Sequence, residues 1–153
     1  MAIITLNNNS LSSVTSLPAG VGGKVLQVVT NATNGTTQTS STSFVDTSLT
    51  ANITPSSTSN KILILVSANC EANNTTAYVT VARGGTNIGS SGGFAITQVA
   101  NSSIPAHHSY YDSPSSTSSL TYTVQIRNND SGNTMTFNSQ NPKSSITLME
   151  IAG

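Results

Sequence analysis

At 153 residues, with five basic and five acidic side chains, the chain carries no formal net charge and lacks the positive footprint that nucleic acid binding requires. No stretch approaches the roughly 18 apolar residues of a membrane-spanning helix, and no basic region followed by an apolar core opens the sequence, so neither a spanning segment nor an ordinary secretory signal is expected. Ser, Thr and Asn supply 66 residues while Leu, Ile, Val and Phe supply 34, a thin stock for a core, so part of the burial is expected to come from oligomerisation.

In chain order, residues 1–23 read as an extended arm and residues 24–153 as one domain. The arm holds Ile3, Ile4, Leu6, Leu11, Val14 and Leu17 at a spacing that fits no helix, and Leu17-Pro18-Ala19-Gly20 then breaks regular structure. A solvated tail has no need of so many aliphatics, so these six are the candidate docking residues for a partner.

From residue 24 the pattern is strand after strand. Residues 24–30 form the first, and residues 31–37 are expected to be a loop. Val45, Thr47, Leu49, Ala51 and Ile53 alternate with Asp46, Ser48, Thr50 and Asn52, the period of a half-buried strand. Residues 61–70 follow, the longest apolar run, too short between turn formers for three helical turns. Alternation there sets Ile62, Ile64 and Val66 against Leu63 and Leu65, so both faces need cover, one from the same chain and the other from a neighbouring subunit or arm. Cys70 closes this strand; as the lone cysteine it makes no internal disulfide and reads as a small buried thiol.

Residues 77–83 form the next strand. The glycine-rich stretch 84–93 lacks the Gly-Lys-Ser/Thr of a phosphate loop and opens no helix, so tight turns and a short edge strand explain it. After a strand at 94–99 comes His107-His108-Ser109-Tyr110-Tyr111-Asp112. Adjacent histidines on a strand point to opposite faces and cannot share one metal without distortion. His107, His108, Tyr110 and Tyr111, with Leu63 and Leu65, are therefore candidate subunit contacts, since Tyr and His suit half-wet interfaces. Residues 120–127 alternate strongly. Residues 128–133 carry one carboxylate, too few for a calcium loop, and are expected to be a hairpin turn into a strand at 134–138. Residues 145–151 make a closing strand.

Eight or nine short strands without a convincing helix predict an all-β fold, an antiparallel two-sheet β-sandwich with jelly-roll winding and an extended N-terminal arm. Leu6-Asn7-Asn8-Asn9-Ser10-Leu11, Leu17-Pro18-Ala19, Gly23-Lys24-Val25-Leu26-Gln27-Val28-Val29, Ser43-Phe44-Val45-Asp46-Thr47, Asp112-Ser113-Pro114, Tyr122-Thr123-Val124-Gln125-Ile126-Arg127 and Ile146-Thr147-Leu148-Met149-Glu150-Ile151 resemble a family of small virion proteins of tailed phages, especially phages of aquatic bacteria such as cyanobacteria. Ile53-Thr54-Pro55-Ser56-Ser57 and Lys61-Ile62-Leu63-Ile64 extend the resemblance over nearly the whole chain.

The resemblance implies a β-sandwich on a phage particle, often trimeric, with no catalytic residues to carry over. Two placements follow from it. A capsid decoration or cement protein, made in the host cytoplasm, would lay its arm on the major capsid protein and trimerise over the head surface. A tail-fibre or receptor-binding tip would turn polar loops to host glycans. The arm, and the lack of a coiled-coil or β-helical shaft, favour the first. A carbohydrate-binding module would carry exposed aromatics, yet there is no Trp, and Tyr110 with Tyr111 is the sole candidate pair. An enzyme is the weakest reading: two histidines and five carboxylates scattered over separate strands make no dyad or triad, and no metal or cofactor is expected.

Overall fold

The computed structural model describes residues 25–97 and 103–153. Eleven strands lie among them: β1 (Val25–Thr33), β2 (Thr37–Thr39), β3 (Val45–Ile53), β4 (Lys61–Ala72), β5 (Thr76–Arg83), β6 (Thr86–Asn87), β7 (Phe94–Thr97), β8 (Ser103–Asp112), β9 (Leu120–Asn128), β10 (Met135–Phe137) and β11 (Ser144–Ile151). The chain is all-β, and its strands form two antiparallel sheets packed face to face as a β-sandwich. The eight principal strands take the orders β1-β11-β4-β8 and β3-β9-β5-β7, which is the jelly-roll winding. The expected arm, residues 1–23, lies outside the described residues, as does part of the expected strand 94–99.

Period-two alternation builds the core. Ile62, Ile64 and Val66 of β4 and Ile146 and Leu148 of β11 point inward from the first sheet. Leu49 and Ile53 of β3, Val79 and Val81 of β5, and Tyr122, Val124 and Ile126 of β9 meet them from the second. Each such side chain, withdrawn from water, contributes about 1.5–3 kcal/mol, which offsets the entropy of ordering so polar a chain.

β4 is the spine of the first sheet. One of its edges carries β8 from Ile62 to Glu71; the other carries β11 as far as Ser67 and then β10 from Cys70 to Ala72. The changeover at Ala68-Asn69 is closed by side chains. Asn69 N–H donates to Ser144 Oγ at 2.9 Å, and Ser144 Oγ donates to Asn138 Oδ1 at 2.5 Å. Asn138 N–H in turn donates to Asn69 O at 2.8 Å, so buried backbone groups stay paired where the ladder breaks.

Two expectations need correction. Residues 31–33 are strand, not loop: Asn31, Ala32 and Thr33 pair with Ile146, Ser145 and Ser144, and Asn31 Nδ2 donates to Thr50 O at 2.7 Å, tying β1 to β3. Nor is 128–133 a hairpin turn, because β9 belongs to the second sheet and β10 to the first, so the segment crosses between sheets. Buried Asn128 holds the crossing, its N–H donating to Ser41 O at 2.7 Å and its Nδ2 to Asn133 O at 2.6 Å. The glycine-rich stretch does contain a tight turn: Gly84 and Gly85, both at positive φ, make the two-residue link from β5 to the short edge strand β6.

Candidate functional site

Strand register, which a single sequence does not display, assembles a contiguous apolar feature on the surface of the described residues. On the outer face of the first sheet Val28 pairs with Met149, Met149 with Leu63, and Leu63 with Tyr111. These four side chains form one row across β1, β11, β4 and β8. Val28 is 56% exposed and Tyr111 64% exposed, while Leu63 and Met149 are half-buried among them. Val25, Leu26 and Ile151 widen the row at one end of the face, and Leu65, in the next row, widens it toward the other.

Beyond Leu65 the face turns polar. Thr147, Ser109, Ser145, Ser67 and His107 surround a shallow, open depression of about 370 Å³ whose apolar wall is Leu65. It offers hydroxyls and one imidazole. No group of three His, Cys, Asp or Glu that could hold a metal ion occurs among the described residues.

Immediately beneath the apolar row runs a second one, pointing inward: Gln27, Glu150, Ile62 and Asp112. Its two carboxylates are bound from several sides. Glu150 Oε1 accepts from Ser56 N–H at 2.6 Å, Ser56 Oγ at 2.8 Å and Asn60 Nδ2 at 2.5 Å, while Oε2 accepts from Gln27 Nε2 at 2.5 Å. Burial alone would raise its pKa, but the donors from Gln27, Asn60 and Ser56 outweigh burial and hold the group ionised down to about 2. Asp112 Oδ2 accepts from Arg83 at 2.5 Å and from the Tyr122 hydroxyl at 2.6 Å, joining β8 to β5 and β9. Burial, together with the bond to Asp112, pushes the Tyr122 phenol well above its ordinary range. The outer row thus rests on a layer pinned by charge-assisted hydrogen bonds, which fixes it as a platform.

The candidate contacts divide between the two faces. Leu63, Leu65, His107 and Tyr111 lie on the outer face. His108 and Tyr110 point the other way, where Phe94 stacks on His108 at 4.1 Å between centroids and meets Tyr110 edge-on at 5.6 Å. Burial and the neighbouring His107 lower the pKa of His108. Ile3, Ile4, Leu6, Leu11, Val14 and Leu17 lie outside the described residues.

Sequence reasoning did not single out Val28, Met149 and Ile151 as surface groups. The signal was present: apolar residues occupy both alternation phases in 25–29 and in 148–151, a pattern that leaves one phase facing outward in a two-layer sandwich. Another feature it missed lies on the opposite sheet, where the Arg127 guanidinium sits 3.8 Å from the Tyr78 ring centroid and 5.3 Å from that of Phe44. Compared with protein-family models and with curated proteins, the chain finds no match.

Proposed function

We propose that the protein is a structural component of a tailed-phage particle, a capsid decoration or cement protein whose sandwiches associate as a trimer on the head surface and stabilise contacts between major capsid protein subunits. The observation that carries this reading is the in-register row Val28, Met149, Leu63 and Tyr111, a contiguous apolar surface among the described residues of a chain rich in Ser, Thr and Asn. Contiguous exposed apolar surface of this kind belongs to proteins that work by contact. The resemblance of the sequence to small virion proteins supplies the setting, and the aliphatic N-terminal residues supply a means of holding the capsid.

Deleting residues 2–20 tests the attachment. Loss of binding to preformed capsids, with the circular dichroism of the sandwich retained, supports the reading, and undiminished occupancy overturns it. Imaging purified particles tests the placement: copies over the head agree with decoration, and copies confined to the tail favour a fibre tip. One observation favours that second reading, the hydroxyl-lined depression beside Leu65, whose chemistry suits sugar hydroxyls.

A further inference from the structure

We infer that the outer face of β1, β11, β4 and β8, centred on Val28, Met149, Leu63 and Tyr111, is the surface through which copies of this chain bind one another. This deepens the assembly reading above, and rests on it, by naming the face that joins the copies.

Charge argues for a second copy as the occupant. Alternation places Lys61 and Glu71 on this face near opposite ends of β4, and between them it presents aliphatic, aromatic, hydroxyl and amide groups and the imidazole of His107. A partner selected by charge, whether nucleic acid, an anionic lipid surface or a basic or acidic protein, would find no complementary field. Around a threefold axis the same face on neighbouring copies meets the row with uncharged groups, leaves Lys61 and Glu71 at its ends, and lets the aliphatic rows pack together.

Four strands spaced about 4.8 Å apart, with about eight residues each at ~3.3 Å per residue, give a face of roughly 15 by 26 Å in plan, about half of the ~800 Å² per partner of a standard interface before side-chain relief is counted.

The position of the N-terminus adds a third argument. The described chain begins at Val25, beside the row, and the 24 residues before it include Ile3, Ile4, Leu6, Leu11, Val14 and Leu17. Copies joined through this face bring their Val25 ends to the same contact.

Sedimentation velocity on the purified full chain tests the inference. The wild type should run as a discrete oligomer. Val28→Lys and Met149→Lys each place a charge in the row without entering the core, and each should weaken association about a hundredfold. Asn52→Lys, an exposed position on β3 of the other sheet, should leave it unchanged. A second readout guards against misfolding of the lysine variants: Leu65→Cys should be linked between copies by a short bis-maleimide, and Asn52→Cys should not.

A wild type that stays monomeric at every concentration overturns the inference, as does an unchanged oligomer in both lysine variants or the absence of linked Leu65→Cys dimers. A monomer that still decorates capsids sinks the interface and spares the decoration reading. An oligomer that ignores capsids and dissociates in the lysine variants does the reverse.

Discussion

Glu150 and Asn60 are joined by a hydrogen bond of 2.5 Å, from Asn60 Nδ2 to Glu150 Oε1, although they stand 90 residues apart. The bond fastens β11 to the turn that introduces β4, and it belongs to a set of four converging on one buried carboxylate. Glu150→Gln keeps the volume but replaces one accepting oxygen with an amide donor among donors. We expect a loss of about 1–3 kcal/mol, read as a lower urea midpoint with unchanged slope.

The same carboxylate should make the fold acid-sensitive. Its folded pKa, about 2, lies below its ordinary value of 4.5, so below 4.5 the unfolded chain takes up the proton first. The stabilisation is therefore complete above about pH 4.5 and is lost as pH falls toward 2. Urea midpoints measured across that window should drop steeply for the wild type and less steeply for Glu150→Gln; parallel curves would contradict the assignment.

Asp112 holds Arg83 and the hydroxyl of Tyr122 together between the sheets. Asp112→Ala strands both partners and should cost about 2–3 kcal/mol, whereas Tyr122→Phe removes one donor and should cost about 1–2 kcal/mol. A double-mutant cycle in urea measures the coupling, and additive losses would mean that the Tyr122 hydroxyl and the Asp112 carboxylate do not stabilise each other.

Cys70 is buried between β10 and β8, and burial pushes its thiol up to about 12. The native protein should not react with a thiol-specific chromogenic disulfide at neutral pH, and a full equivalent should appear on unfolding in urea. Rapid labelling of the native chain would mean that this end of β4 opens locally.

Inner and outer residues of one sheet should answer differently to truncation. Leu148→Ala, deep between the sheets, should cost about 2–5 kcal/mol. Tyr111→Ala, 64% exposed, should change the stability of an isolated chain by roughly 0.5 kcal/mol or less. Thermal melts of the two variants decide the matter.

Most of the sandwich was legible because 45–53 and 120–127 carry an alternation that declares an inside and an outside, while 61–70 and 145–151 read as strands whose apolar residues fall in both phases and leave the inner face open. The errors arose where neighbours overrule local pattern. Asn31-Ala32-Thr33 has the composition of a turn and is strand because residues 144–146 pair with it. The three-residue strand β2 is too short to carry any period, and it forms along the free edge of β10, which takes over the far half of β4 after β11 departs. For the same reason half of the outer row was legible and half was not. Leu63 and Tyr111 draw notice as an apolar residue and an aromatic, but only pairing shows that they share a line with Val28 and Met149.

The pairing of β1 with β11, and of β11 with β4, has a kinetic side. Strands that adjoin in the first sheet come from opposite ends of the domain, so β4 keeps a bare edge and the apolar row stays incomplete until residues 144–151 have been made. Such distant pairing places folding in the slow regime, milliseconds to seconds, in which half-built sheets from neighbouring chains can find each other. The low charge of this sequence offers little to keep them apart.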